Sequence, residues 1–107
     1  MRRDQLSRMI GGWFVGNFAP AILSTENFEV CVKEYLKGDV ELTHYQKVAV
    51  EITVVISGEV RMGKEILLKG DIILLEPFEE YDFEALTDAT VVAVKSPSLP
   101  SDKSLSY

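Results

Sequence analysis

The chain has 107 residues, a mass of 12.0 kDa and an apolar content of 47%, which suits one domain with a buried core and excludes a two-domain enzyme and a disordered chain. A net charge of −6 repels phosphate backbones and anionic membranes, so we expect no nucleic-acid partner and no membrane association. The single histidine and single cysteine exclude zinc fingers, Cys-x-x-Cys redox pairs, two-histidine metal sites and intrachain disulfides.

The N-terminal segment has some features of a secretory signal. Three arginines precede the uncharged residues 9–23, but Asp4 lies among them, and glycines and a proline interrupt the apolar stretch. A signal needs a continuous apolar helix, and a membrane span needs about 20 apolar residues. We therefore expect a soluble, cytoplasmic protein, and the lone thiol of Cys31 suits a reducing compartment.

Apolar residues alternate with period two in short segments bounded by Gly, Asp, Pro or Asn, which predicts an all-β domain. In residues 28–35 the alternation places Glu29, Cys31 and Lys33 on one face and apolar side chains on the other. Residues 48–57 are rich in β-branched side chains and predict a central strand. The predicted strands are residues 13–18, 28–35, a region beginning at 44–46, 48–57, 59–62, 65–68, 72–75, 81–86 and 90–95.

The C-terminal part of the chain predicts a hairpin and then a tail. Pro77 ends the strand before it, and Thr87 and Asp88 suit the turn between the last two predicted strands. Residues 96–107 are rich in Ser and Pro without periodicity and predict a loosely ordered tail. We expect a single domain over residues 1–107 with its core at about 12–95.

One spacing in the chain combines glycines with polar side chains. Gly38 is followed by His44, Gln46 and Glu51, and the run ends at Gly58. This spacing resembles the first motif of the cupin superfamily, which is Gly, five residues, His-x-His, three or four residues, Glu, six residues and Gly. Gln46 stands where the motif has its second histidine.

A second run resembles the other cupin motif, Gly-Asp, four residues, then Pro and His separated by a glycine turn. Gly70 and Asp71 supply its start, and Pro77 supplies the proline. Phe78 takes the glycine place and Tyr81 takes the histidine place. The resemblance implies a small single-domain cupin β-barrel of the jelly-roll kind.

The resemblance also implies candidate chemistry. In cupins, three histidines and a glutamate bind iron, manganese, nickel or zinc and support dioxygenases, decarboxylases and isomerases. The corresponding metal ligands here are His44, Gln46, Glu51 and Tyr81, and the implied cofactor is a divalent Zn, Mn, Ni or Fe ion or none. Some sugar isomerases similar to cupins use a glutamine beside histidine and glutamate at zinc.

Other cupins, including nucleotide-sugar epimerases, work without a metal and use a histidine base and a tyrosine acid. The resemblance then implies a catalytic set of His44 as base, Tyr81 as acid and Glu51 as the carboxylate. A histidine that titrates near pH 7 and a phenol with a pKa near 10 suit removal and return of a proton.

The strand periodicity agrees with an interior site. His44 and Gln46 are two residues apart, so on a strand they share a face, which in a closed barrel can be the interior. Glu51 follows five residues after Gln46, so it can share that face only if the chain turns, and Lys47 and Val48 can supply the turn.

Each of these residues also has a purely structural interpretation. His44 can be a hydrogen-bonded remnant in a half-polar barrel. Glu51 lies in an apolar strand, and a buried carboxylate must be paired, coordinated or protonated, so a salt bridge to Lys47 or Arg61 is the alternative to a functional role.

Aromatic residues cluster on the first predicted strand. Trp13, Phe14 and Phe18 could line the mouth of a ligand site, but packing in the core or at a dimer interface is the expected role. Small cupins that resemble this chain commonly dimerise through their N-terminal strands, which implies a homodimer.

Together these features predict a protein that binds a small-molecule ligand, a sugar or a carboxylic acid, inside the barrel around His44, Gln46, Glu51 and Tyr81. Isomerase or epimerase chemistry, metal-assisted or metal-free, is the enzymatic interpretation. The alternative is a non-catalytic ligand-binding or sensing module with a degenerate metal site.

Overall fold

Two β-sheets pack face to face in the computed structural model, which describes residues 1–105. A short 3₁₀ helix at Leu6–Arg8 precedes eleven strands in this part of the chain. The strands are β1 Trp13–Gly16, β2 Leu23–Ser24, β3 Glu29–Tyr35, β4 Val40–Gln46, β5 Val50–Ser57, β6 Val60–Met62, β7 Glu65–Leu67, β8 Ile72–Leu75, β9 Tyr81–Ala85, β10 Ala89–Ser96 and β11 Lys103–Leu105. The predicted all-β class is confirmed.

The larger sheet has the strand order β2-β1-β3-β10-β5-β8, and the smaller sheet has the order β11-β4-β9-β6-β7. All pairs are antiparallel except β1 with β2. As predicted for the β-branched segment, β5 lies inside the larger sheet, between β10 and β8. The largest boundary change is at β4, which begins at Val40, ahead of the region expected at 44–46; β1 ends earlier than predicted at Gly16, β5 begins later at Val50, and β2 was not predicted.

The prediction of a loosely ordered tail from residue 96 is wrong for the described residues. Lys103–Leu105 forms β11, which pairs with β4, and the side chains of Ser98 and Asp102 are buried. A strand of three residues at a sheet edge is too short to show a period of two, so composition alone suggested a tail. Residues 106–107 lie outside the described part of the chain.

Asp102 anchors this C-terminal segment. Its carboxylate accepts hydrogen bonds from the backbone N–H groups of Lys47, Val48 and Ala49 at 3.1, 3.0 and 2.8 Å. Three consecutive N–H groups that point at one carboxylate form a concave anion site, which satisfies donors that the turn would otherwise leave unpaired. The turn between β4 and β5 is therefore held by a residue 55 positions away from Lys47.

The glycine positions of the two motifs have a steric explanation. Gly58 has a φ of +80°, and a Cβ atom there would overlap the carbonyl oxygen of Asp88. Gly38 also has a positive φ, at +92°. Phe78, which takes the place of a motif glycine, keeps a glycine-like φ of +68°, the one such non-glycine residue in the described chain. The backbone of the second motif is thus retained although its glycine is not.

The space between the sheets is apolar at one end and polar at the other. Val55, Val60, Phe83, Ala85 and Val91 belong to a buried apolar cluster. Farther along the same interior faces, polar residues take the place of this apolar cluster. There, the strand register brings one charged residue from each of β3, β10 and β5 side by side. The aligned interior row consists of Glu29, Lys95 and Glu51.

The outer face of the larger sheet is aliphatic. Strand register aligns two rows of side chains across β3, β10, β5 and β8. We call these eight residues the outer aliphatic patch; its rows are Val30, Val94, Ile52, Leu74 and Val32, Val92, Val54, Ile72. The predicted division of the 28–35 segment into two faces is confirmed, and the charged face is the one that points into the barrel.

Within residues 1–105, no helical segment has the length and apolar character needed to cross a membrane.

Candidate functional site

The polar end of the barrel encloses a cavity of about 330 Å³. His44, Gln46, Glu51 and Tyr81, the four residues predicted from the motifs, all line this cavity. His44 and Gln46 come from β4, Glu51 from β5 and Tyr81 from β9, so both sheets contribute to the wall. The structure therefore brings the whole predicted set together.

The predicted turn at Lys47 and Val48 is present, and it is what brings Glu51 inside. The chain leaves β4 at Gln46, bends at these two residues and enters β5 at Val50. The bend lets side chains five positions apart face the same space, which a straight strand would not allow. The backbone N–H groups of this turn are the ones held by Asp102.

Glu51 is 4% exposed, and both of its carboxylate oxygens have neighbours in the cavity wall. Its Oε2 accepts hydrogen bonds from the Tyr81 hydroxyl at 2.8 Å and from the Thr53 hydroxyl at 3.1 Å. Its Oε1 lies 3.8 Å from Nζ of Lys95. The buried charge is thus compensated by one cation and two hydroxyl donors, as a carboxylate at this depth requires.

The salt bridge expected from Glu51 to Lys47 or Arg61 is not found, because Lys95 is its basic partner. Arg61 instead forms a bidentate pair with Asp82 at 2.7 and 2.9 Å. Lys95 faces Glu51 across adjacent strands of the larger sheet. That register is a long-range property, which the local spacing of charges in the sequence does not contain.

Tyr81 acts as a hydrogen-bond donor in this arrangement. A carboxylate can only accept, so the proton of the 2.8 Å bond belongs to the phenol. Burial, and then the neighbouring charge of Glu51, raises the pKa of Tyr81 far above its ordinary value. The phenol therefore keeps its proton, and its oxygen lone pairs remain the groups with which it can accept a bond from a ligand.

His44 presents a defined lone pair. Its Nδ1 lies 2.7 Å from the carbonyl oxygen of Leu42, and because a carbonyl only accepts, Nδ1 carries the proton. The lone pair of the neutral ring is then on Nε2. Burial lowers the pKa of His44, so the neutral form dominates at neutral pH. The ring packs against Tyr81 with centroids 4.3 Å apart.

Gln46 carries an unsatisfied donor. The side chain is 4% exposed, and its Nε2 is the one buried side-chain nitrogen or oxygen in residues 1–105 without a hydrogen-bond partner. Leaving such a group unpaired costs about 1–3 kcal/mol. A buried amide donor on the wall of a cavity indicates a position where a ligand oxygen can bind.

Five charged residues of the cavity wall were not singled out by the motifs: Glu29, Lys33, Glu41, Lys95 and Lys103. Glu41 accepts a hydrogen bond from the Tyr35 hydroxyl at 2.8 Å on Oε2, while its Oε1 lies 3.9 Å from Nζ of Lys33 and 3.5 Å from Nζ of Lys103. Although burial alone raises the pKa of Glu41, these neighbours outweigh it and lower the pKa. The alternation of residues 28–35 predicted that Lys33 shares a face of its strand with Glu29 and Cys31. The local sequence did not indicate that this face points into the barrel.

Of the three aromatic residues of the first predicted strand, Trp13 and Phe18 contribute to the cavity, as the ligand-mouth alternative predicts, and Phe14 is not among the lining residues. The Nζ atoms of Lys95 and Lys33 lie 5.1 and 5.8 Å from the centroid of the Trp13 ring, within cation–π range. Cys31 lines the same space, but burial raises its pKa to about 11, which keeps the thiol protonated.

The four predicted metal ligands do not fit a divalent ion, although they share a cavity. The ammonium group of Lys95 lies beside Oε1 of Glu51, where it repels a cation, and Oε2 already accepts two bonds. Tyr81 retains its proton, and the amide of Gln46 is a weak donor for first-row metals. In residues 1–105 no three His, Cys, Asp or Glu side chains converge as a metal-binding group.

No protein-family model and no curated protein sequence matches the chain. Among solved structures, an uncharacterized conserved protein with a double-stranded β-helix domain from Klebsiella pneumoniae superposes with a TM-score of 0.70 and 23% identity, over 79% of this chain and 75% of that one. An RmlC-like cupin from Desulfovibrio desulfuricans gives a TM-score of 0.62 and 18% identity, over 70% and 76% of the two chains.

A sugar phosphate isomerase of the cupin superfamily from Silicibacter pomeroyi also superposes, with a TM-score of 0.60 and 23% identity. The match covers 65% of this chain and 50% of that one. These three structures show that the chain has the cupin double-stranded β-helix fold. The predicted cupin β-barrel is confirmed.

Proposed function

We propose that this cupin-fold protein binds a small polar molecule, a sugar or a carboxylic acid, in the polar end of its barrel. The observation that carries the proposal is the side-chain amide of Gln46, a buried donor without a partner on the wall of a cavity of about 330 Å³. That volume lies within the range of small-molecule sites. A ligand oxygen at Nε2 would supply the missing acceptor.

The remaining wall suits a hydroxylated ligand. The Glu51 carboxylate can accept hydrogen bonds from ligand hydroxyls, and so can Nε2 of His44 and the oxygen of Tyr81. Phe18 also lines the cavity and offers an apolar surface against which the C–H face of a sugar can pack. A mixture of acceptors, donors and one aromatic surface is the composition expected of such a site.

A variant that fills the cavity tests this proposal. Ala93 lines the cavity, whereas Val92 on the same strand faces outward in the outer aliphatic patch. Thermal-shift and calorimetric screens of sugars and hydroxy acids should find ligands that bind wild type and Val92→Leu but not Ala93→Leu. If Ala93→Leu unfolds, Thr53→Val serves as the substitute variant. It removes a polar group from the cavity wall at nearly constant volume and should weaken ligand binding. Equal binding by all variants, or no ligand for wild type, would exclude the proposed site.

A second candidate function is proton transfer on the bound molecule. His44 supports it, because burial keeps the ring neutral and the Leu42 carbonyl holds the Nδ1 proton, so Nε2 can take a proton from an acidic C–H group. Tyr81 is better suited to binding than to the acid role, because its proton is engaged by Glu51 and its pKa is raised. The structurally similar sugar phosphate isomerase from Silicibacter pomeroyi has the same fold as the one in which we propose proton transfer.

Deuterium exchange distinguishes the two functions. A ligand with a C–H group next to a carbonyl, bound in D₂O, should exchange that hydrogen faster with wild type than with His44→Gln. Tyr45→Phe, on β4 beside His44, is the matched control and should exchange as wild type does. Binding without enhanced exchange would leave the protein as a ligand-binding module.

The proposed site needs no metal ion, and this too can be measured. Elemental analysis of untagged protein, followed by titration with Zn, Mn, Ni and Fe, should give far less than one bound ion per chain in wild type and in Glu51→Gln alike. Near-stoichiometric metal that disappears in Glu51→Gln would instead establish a reduced ligand set around His44.

A further inference from the structure

We propose that Lys33, Lys103 and the side-chain amide of Gln46 form a subsite for the carboxylate of the ligand, so that the barrel selects hydroxylated acids over neutral sugars. This inference rests on the proposed binding function and specifies its ligand class. The subsite lies where β11, β4 and β3 border the cavity.

The two lysines share one counter-ion. Their Nζ atoms lie 3.9 and 3.5 Å from the same oxygen, Oε1 of Glu41. Both ammonium groups are therefore close enough to each other to contact one ligand carboxylate. A charged hydrogen bond between an ammonium nitrogen and a carboxylate oxygen measures about 2.8 Å. Both distances to Glu41 exceed that value, so each lysine can still form a short bond to an anion.

Gln46 completes the subsite because of strand register. Lys103 on β11 is directly opposite Gln46 on β4, and directly opposed residues project their side chains from the same face of a sheet. Lys103 and Gln46 both line the cavity. The unpaired Nε2 donor and the side chain of Lys103 thus enter the cavity from the same face of the smaller sheet, where one carboxylate oxygen can accept from the amide while the other faces a lysine.

Charge is distributed unevenly across the cavity. On the larger sheet, Glu29 and Glu51 flank Lys95 in one row, which places two acids beside one base. At the other cluster, Lys33 and Lys103 share Glu41, which places two bases beside one acid. A ligand with a carboxylate at one end and hydroxyl donors at the other matches this polarity, since hydroxyls donate to carboxylates.

Matched pairs of ligands test the inference. Calorimetry would compare glucuronate with glucose, galacturonate with galactose, and lactate with propane-1,2-diol. We expect the acid of at least one pair to bind wild type about tenfold more tightly than its neutral partner, the size of one charge-assisted hydrogen bond. Lys33→Gln and Lys103→Gln should each remove most of this preference, because each should lower the affinity for the acid more than the affinity for its neutral partner.

Lys64→Gln is the matched control, because it removes the same charge from an exposed turn between β6 and β7. It should leave the preference for the acid intact. If neutral partners bind as tightly as acids, or if Lys64→Gln lowers acid affinity as much as the other two variants, the subsite is wrong and the binding function stands. If no member of any pair binds wild type, both proposals fail.

Discussion

The hydroxyl of Tyr81 donates a 2.8 Å hydrogen bond to Oε2 of Glu51 and thereby joins the two sheets across the barrel interior. Tyr81 lies on β9 of the smaller sheet, and Glu51 lies on β5 of the larger sheet. Both side chains are buried, so water competes little for the bond. The two motif residues therefore have a structural role in addition to the one proposed in ligand binding.

Replacing Tyr81 with Phe should lower the free energy of unfolding by about 1.5–3 kcal/mol, because it removes a donor from a buried carboxylate. Urea denaturation measures the change. Tyr45→Phe is the control: Tyr45 packs against Phe78 with ring centroids 5.7 Å apart, and its loss of a hydroxyl should cost less than about 0.5 kcal/mol. Equal costs for the two variants would contradict the assigned role of the bond.

Asp102→Ala should destabilise the protein by at least about 2 kcal/mol, because the backbone N–H groups of Lys47, Val48 and Ala49 lose their acceptor. The neighbouring exposed Ser101→Ala should be close to neutral. The same denaturation experiment compares them. Wild-type stability in Asp102→Ala would mean that the C-terminal segment does not hold the turn.

The hydrogen bonds of Asp102 to the turn between β4 and β5 show which features of the fold could not be predicted from the sequence. The positive φ of Gly58 is a local property of its own turn, although the Asp88 carbonyl that crowds the position comes from the distant turn between β9 and β10. The bonds of Asp102 instead join positions 55 and 54 residues apart, and no periodicity in residues 96–105 points to them. Short-range patterns therefore predicted the barrel strands, and long-range contacts produced the part that was missed.

His44 should make stability depend on pH below about 6.5. Burial lowers its folded pKa from the ordinary value of 6.5, so the unfolded chain binds a proton first as pH falls. The contribution of His44 to stability is therefore lost as pH falls below the unfolded-state pKa of 6.5. The loss is at most about 1.4 kcal/mol per pH unit and ends when the folded-state pKa is reached. In His44→Gln this loss is absent.

The measurement is the free energy of unfolding of both proteins from pH 8 to pH 5. The stability of wild type relative to His44→Gln should fall over the acidic part of the range and stay constant above pH 7.5. Because other titrating groups, including Glu29, occur in both proteins, their contributions cancel to first order. A difference that is constant with pH, or that favours wild type at low pH, would show that the ring is not held neutral.

As with the fold, part of the candidate site could be predicted from local sequence patterns and part could not. Spacing within β4 and the turn after it correctly predicted that His44, Gln46 and Glu51 share a face. The partner of Glu51 was missed because Lys95 reaches it only through the register of β10 with β5. Sequence periodicity identifies which residues share a face of a strand, whereas strand pairing decides which residues meet.

The outer aliphatic patch predicts self-association. Ile72 and Leu74 are 68% and 50% exposed, and the patch contains no charged residue. Two copies of a chain with a net charge of −6 can meet there without bringing like charges into contact, and a two-fold axis pairs one patch with itself. We therefore expect a homodimer, if one forms, to use this face as an alternative to the N-terminal strand, whose Trp13 lines the cavity.

Sedimentation velocity over a range of concentrations tests this expectation. Wild type should sediment as a dimer, and Leu74→Lys should shift it to monomer. Ile66→Lys on β7, also an exposed aliphatic position but in the smaller sheet, should remain dimeric. A monomeric wild type, or a dimer lost only in Ile66→Lys, would show that the patch is not the interface.

The most direct test of the central claim follows the side-chain amide of Gln46 by NMR while glucuronate and the other acids of the matched pairs are added to labelled wild-type protein. Binding inside the barrel predicts saturable shifts of the two Nε2 proton resonances, together with shifts of His44 and Tyr81. These shifts should be absent in Ala93→Leu. Shifts confined to the outer surface, or an unchanged Gln46 amide at saturating acid, would contradict the account.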